Sequence, residues 1–184
     1  MAVRDSGSLL DGVAEVLVAN LSASMAEVAR AAGIGRTTLH KHYATRDDLL
    51  RAVGYRAIEK WEQALDTVPD DEGDGGLLAM ATAMVPIGPQ LAFLWRTPAL
   101  DQVPELIKRA IGVEDRCQAI LLRAQRLGVI KAGIPDWWLL DTYLSLIYSA
   151  SLAVGAGKLA PLDAPRLTIA TLLHGIGETD PGDR

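Results

Sequence analysis

A single cysteine, Cys117, occurs in the 184 residues, so the chain closes no internal disulfide and offers no thiolate cluster to a zinc ion. Histidine is nearly as scarce. His40 and His42 stand two apart and diverge on a helix, while His174 sits alone in an apolar stretch and reads as packed core, so no metal site is expected. No glycine-rich phosphate loop occurs, and Cys117 has no neighbouring histidine. Asp136 and Asp141, beside Trp137 and Trp138, are five apart and read as helix cap and surface. Neither an enzyme nor a bound cofactor is expected. The amino terminus lacks the basic start and long apolar stretch of a secretory signal, which makes a cytoplasmic protein the expectation.

With 49% hydrophobic and 22% charged residues the chain can bury a substantial core. Its length suits one domain, or a small domain fused to a slightly larger one. Two uncharged runs raise the question of a membrane. Residues 75–95 are long enough to cross one, but Pro86, Gly88 and Pro89 break the middle; residues 142–157 are too short. Both read as buried core helices, with no membrane partner. The formal net charge of −5 is unevenly spread: residues 1–60 hold eight Lys/Arg against seven Asp/Glu, and residues 61–184 hold ten against sixteen. The positive charges of the first third crowd between Arg30 and Lys60.

Periodicity gives helix nearly throughout and no convincing pair of alternating strands, so the expected fold class is all-α. Leu10, Val13, Ala14, Leu17 and Leu21 form one stripe, opened by a cap at Ser8 with Asp11 three residues on. Met25, Val28, Ala29 and Ala32 form the next, behind Ser24 with Glu27 at the capping-box position, and Gly33 is the natural stop. Arg36 to Tyr43 is too short to stand alone. Thr45, with Asp48 three residues on, opens a long helix whose stripe is Leu50, Val53, Ala57, Ile58, Trp61 and Leu65. It ends in the loop from Pro69 to Gly76. Beyond it the expected helices are 77–85, 90–97, 103–111, 113–128, 136–156 and 164–176.

Two short helices joined by the glycine-containing turn Gly33-Ile34-Gly35 describe a helix-turn-helix. With Leu39 pointing inward, Tyr43 shares the buried side, and Thr37, Thr38, His40 and Lys41 form the exposed face, with Arg36 reaching out from the first turn. These side chains suit the edges of bases and phosphates in a major groove. The helix starts at Ser24/Met25 and Thr45/Arg46 add backbone N–H groups for phosphates.

Residues 24–53, SMAEVARAAGIGRTTLHKHYATRDDLLRAV, resemble the DNA-binding module of the TetR family of bacterial transcriptional regulators. The resemblance rests on the order of Ala32-Gly33, Leu39, Tyr43 and the polar start Thr45-Arg46-Asp47-Asp48 before Leu49 and Leu50, and covers roughly residues 9 to 55. It implies a three-helix DNA-binding domain at 1–55, a larger helical ligand-sensing and dimerisation domain at 56–178, and a tail at 179–184. The implied partners are double-stranded DNA with a palindromic operator, a second copy of the chain, and a small-molecule effector. The implied DNA contacts are Ser24, Met25, Gly35, Arg36, Thr37, Thr38, His40, Lys41, His42, Tyr43 and Arg46. Departures from the family pattern are His40 for a tyrosine, Gly35 for a serine, Ala44 for a proline, and Arg4 as the only basic residue of an amino-terminal arm.

The carboxy-terminal part carries two further expectations. Leu140, Tyr143, Leu144, Ile147 and Ser151 on one helix, with Leu167, Ala170, Leu173 and Ile176 on the last, are expected to pair two subunits across a two-fold axis. Met80, Met84, Phe93, Trp95, Trp137, Trp138 and Tyr148 are adaptable or aromatic and are expected to line a cavity for an apolar or aromatic effector. The function expected is a ligand-responsive repressor; the alternative is an accessory ligand sensor of the same fold with weak DNA binding.

Overall fold

The computed structural model describes residues 6–69 and 73–175. Among them the chain forms α1 (Ser6–Ala19), α2 (Met25–Ala31), α3 (Arg36–His42), α4 (Arg46–Asp66), α5 (Leu77–Met84), α6 (Gly88–Arg96), α7 (Pro104–Arg126), α8 (Asp136–Gly155) and α9 (Ala164–His174). Two 3-10 turns, Val85–Ile87 and Pro98–Gln102, flank α6, and no strand is present among the described residues. The all-α expectation holds.

The apolar stripe of α4 organises the molecule. Leu49, Leu50 and Val53 are buried among α1, α2 and α3, while Trp61, Ala64 and Leu65 are buried against the later helices, so one 21-residue rod joins the head to the body. Helix α1 packs on α4 and also on α6. Asp11 on α1 accepts from both Arg56 (3.3 Å) and Lys60 (2.8 Å) on α4. Farther along, Glu62 takes a two-pronged bond from Arg109 of α7 (3.0 and 2.6 Å), and Asp66 pairs with Arg116 (2.7 Å). The uncharged run 75–95 folds as the lead-in to α5, then α5, a turn and α6, and 61% of the most apolar 18-residue stretch within 77–96 is buried inside the protein.

Several boundaries differ from the periodicity reading. Ser8 does not cap α1, because the helix already runs through it from Ser6; burying Leu9 one turn ahead of Val13 extends the stripe backwards. The helices expected at 103–111 and 113–128 are one 23-residue helix. Gly112 sits on its open side with nothing within 4 Å of where a β-carbon would lie. Its cost of about 1 kcal/mol is small beside the burial of Leu106, Val113, Cys117 and Leu121 on the other face. Helix α6 starts at Gly88 rather than 90, and a β-carbon on Gly88 would lie 1.9 Å from Ser151 Oγ, so α6 crosses α8 at a distance only glycine allows. His174 is exposed at the end of α9, not packed. Ile176 and the tail 179–184 lie outside the described residues.

Candidate nucleic-acid interface

Helix α2 opens with a complete capping box. Ser24 N–H and hydroxyl donate to Glu27 Oε2 (2.7 and 2.8 Å), and Glu27 N–H donates to Ser24 Oγ (3.3 Å). It closes in a Schellman turn: Gly33 adopts φ +71°, Gly33 N–H donates to Arg30 O (3.1 Å) and Ile34 N–H to Ala29 O (2.9 Å). Ile34 packs on the core from this turn, which aims α3 across α2. A second capping box starts α4, with Thr45 N–H and hydroxyl on Asp48 Oδ2 (3.0 and 2.7 Å) and Asp48 N–H returning to Thr45 Oγ1 (3.1 Å). These bonds hold both carboxylates below their ordinary range: the Ser24 N–H foremost for Glu27, the Thr45 hydroxyl and then Arg51 for Asp48.

Between the boxes α3 is pinned by one side chain. Leu39 is fully buried; Arg36, Thr37, Thr38, Lys41 and His42 are exposed and His40 is half-buried. The side chains of Arg36, Thr37, Thr38 and Lys41 make no hydrogen bond or ion pair with the described residues, so their donors are unspent. Tyr43 caps the helix in an extended conformation, its N–H on Leu39 O (2.8 Å) and its ring tilted against His42 at 6.3 Å. Partial burial pushes its phenol above the ordinary value. Gly35, at the start of α3, has an open flank with only the Thr38 hydroxyl near.

Arg46 departs from expectation. Its guanidinium donates to the carbonyls of Leu21 and Ala23, which ties the start of α4 to the α1–α2 connection and leaves the side chain partly buried. It therefore positions α2 rather than reaching outward. Ser24 is likewise committed to Glu27, so what α2 offers a phosphate is the N–H of Met25 and its neighbour in the first turn, which have no partner four residues back.

The expected effector residues separate into three groups. Trp95 and Tyr148 line a cavity of about 530 Å³ between α6, α7 and α8. Met80, Met84 and Phe93 are fully buried in closed core, where Met84 Sδ lies 4.0 Å from Cys117 Sγ and 3.8 Å from the Tyr143 hydroxyl. Trp137 and Trp138 stand exposed at the start of α8, ring to ring at 5.6 Å, because Leu139, Tyr143 and Ile147 take the inward face.

The expected pairing surface is also redistributed. Tyr143 and Ile147 are fully buried and cannot meet a second subunit; Leu140 and Leu144 line the cavity; Ser151 faces Gly88. The outward face of α8 is instead Trp138, Ser145, Ser149 and Leu152, and Leu167 and Ala170 of α9 are exposed, with Leu173 half-buried. Glu114, which the sequence reading did not single out, and Asp141, which it read as surface, both line the cavity. The signal lay in the spacing Ile107, Ile111, Glu114, Cys117, Leu121 along one face, which a helix broken at Gly112 hides.

A model of the bacterial regulatory proteins of the tetR family matches residues 21–53. LfrR, an HTH-type transcriptional repressor of Mycolicibacterium smegmatis, is 30% identical over 156 residues, covering 84% of this chain and 81% of LfrR. NfxB, an HTH-type transcriptional regulator of Pseudomonas aeruginosa, is 26% identical over 172 residues, covering 91% of each chain. A crystal structure of LfrR in complex with proflavine has a TM-score of 0.73 at 24% identity, over 94% of this chain and 97% of that one. SCO3833 of Streptomyces coelicolor, a member of the same family, gives 0.67 at 19% identity, over 97% and 94%. With a capped helix-turn-helix on a helical body and relatives of this kind along most of its length, the chain belongs to the TetR family of transcriptional regulators, DNA-binding proteins and not enzymes.

Proposed function

We propose that the protein is a cytoplasmic, ligand-released repressor that binds a palindromic operator as a homodimer. The observation that carries the reading is α3: one buried leucine holds it, and four polar or basic side chains on its outer face have no partner among the described residues. Residues 1–55 act as the DNA-binding head and 56–178 as the sensing and pairing body. A two-fold axis places the second α3 one helical turn of DNA away, about 34–36 Å along the duplex.

The pairing surface is the outward face of α8 with α9. Leu152, Leu162 and Leu167 are 49%, 88% and 53% exposed, and Trp138 is 54% exposed, an amount of apolar surface that a second copy would cover. The effector is a small apolar or aromatic molecule held against Trp95 and Tyr148; the proflavine complex of LfrR supports the aromatic choice. Release follows if the occupied body favours a head geometry that no longer fits successive major grooves. Tyr148 also borders a cavity of about 580 Å³ that reaches Val18 and Ala19 of α1, and Arg96, next to Trp95 on α6, donates to Val18 O at 3.3 Å. An occupant displacing Trp95 therefore bears on the helix that carries the head.

The test is selection of duplex DNA from a random library at moderate salt, wild type against Thr37→Ala/Lys41→Ala. A palindrome recovered by wild type alone supports the reading. No motif from a folded dimer overturns it in favour of an accessory sensor.

A further inference from the structure

The cavity between α6, α7 and α8 adjoins a second, of about 340 Å³, and Trp95 and Glu114 line both. The charged groups lining the first are Glu114 and Asp141, those lining the second Glu114 and Asp101, and neither contains a lysine, arginine or histidine. The arginines that flank Glu114 on α7 are engaged elsewhere, Arg109 with Glu62 and Arg116 with Asp66. Glu114 is half-buried and has no ion pair or hydrogen bond among the described residues. Its carboxyl is raised above the ordinary value, first by burial and then by Asp115 and Asp141. The molecule thus places a carboxylate in a partly dry site and supplies it with no cation.

A second, independent mark lies on the same walls. Trp61 is 1% exposed and borders the smaller cavity, yet its indole N–H finds no acceptor. The Cys117 thiol is its nearest candidate acceptor: the indole N–H eases the thiol down slightly against the burial that pushes it up to about 12, but a neutral thiol is a weak acceptor and the contact falls short of hydrogen-bond geometry. Buried donors in native structures are almost always bonded, so a weakly engaged one on a cavity wall is free to donate to an acceptor atom on the rim of an occupant's ring. The remaining lining supplies flat apolar faces, with Trp61 and Trp95 edge to face at 6.4 Å and Tyr148 on the far wall. Among the described residues no metal-binding cluster of acidic, histidine or cysteine side chains occurs, so a bare metal ion does not fit.

We infer that the paired cavity selects a planar aromatic cation, with Glu114 as its counter-ion, Asp141 as a second negative group, and Trp95 and Tyr148 as the ring faces against which it packs. This rests on the reading of the cavity as the effector site and goes beyond it in fixing the charge of the effector. A cation over an indole or phenol face gains from the ring quadrupole, and the gain grows as water is excluded. An anion of the same shape meets up to three carboxylates and is rejected.

The experiment is calorimetric titration of the whole protein with proflavine, a planar tricyclic cation at neutral pH, and with acridone, a neutral tricycle of similar outline. Wild type is expected to bind proflavine at least about tenfold more tightly than acridone. Glu114→Gln is expected to lose most of that preference while keeping its affinity for acridone; Asp141→Asn loses less; Trp95→Ala weakens both ligands. Circular dichroism melting establishes that each variant is folded, and if Glu114→Gln is not, the wild-type ratio and Asp141→Asn decide alone. Equal affinity of wild type for the two ligands, or a folded Glu114→Gln with unchanged preference, overturns the inference. Operator selection on the same wild-type preparation is scored separately, so loss of the repressor reading and loss of the charge assignment are distinguishable.

Discussion

At the scale of single residues, side chains that look alike in sequence do opposite jobs. Lys41 and Arg46 are both basic and five apart in the helix-turn-helix. Lys41 has no partner among the described residues, whereas Arg46 is tied to two carbonyls of the α1–α2 connection. The two therefore fail differently. Lys41→Ala is expected to lower the dependence of operator affinity on salt by about one ion while leaving the melting temperature unchanged. Arg46→Ala is expected to lower the melting temperature as well, since two carbonyls lose their donor. An equal melting temperature for both variants would contradict the assignment. Gly88 provides a test of packing. Gly88→Ala forces a β-carbon into Ser151 and is expected to cost about 1–3 kcal/mol in urea unfolding, with recovery in the double variant Gly88→Ala/Ser151→Gly. Equal stability of Gly88→Ala and wild type would mean that α6 and α8 separate easily.

Among the elements, the two short-range devices that start α2 and α4 share an acid sensitivity. Glu27 and Asp48 have folded values below their unfolded ones, so their contribution is present above the unfolded carboxylate range and is lost as pH falls through the folded values. The first turns of α2 and α4 are expected to exchange amide protons faster relative to α7 as pH is lowered through that range, after correction for intrinsic rates. Glu27→Gln should blunt the change in α2 alone. A uniform response across all helices would argue that the boxes add nothing. These boxes were legible because their signal is local: a hydroxyl, three residues, a carboxylate. So was the stripe of α4, since its repeats fix which side is wet. The extent of α7 was not legible, because a glycine in an exposed position looks in sequence like a break and costs too little to be one. Nor was the cavity, since Trp95, Glu114 and Tyr148 come from three helices and only their packing brings them together. The misplacement of Tyr143 and Ile147 has the same origin: periodicity says which residues share a face, not which partner that face meets.

For the whole molecule the expectation concerns assembly. Leu152→Lys/Leu167→Glu is expected to halve the mass seen by light scattering and to abolish operator binding, while proflavine binding persists because neither residue lines the two cavities around Trp95 and Glu114. A variant that stays dimeric would move the seam elsewhere. The buried side chains of head and body also form one continuous cluster, from Leu9 to Ile169. Thermal unfolding is accordingly expected to follow a single transition by both tryptophan fluorescence and circular dichroism.

The lone thiol has a practical consequence. Cys117 lies wholly inside the bundle and keeps its proton, so alkylating reagents are expected to leave the native protein untouched. A cysteine introduced on the outer face of α3, as in Thr37→Cys, would then be the one reactive handle on each subunit. Spin labels there would turn the separation of the two recognition helices, with and without effector, into a directly measurable length.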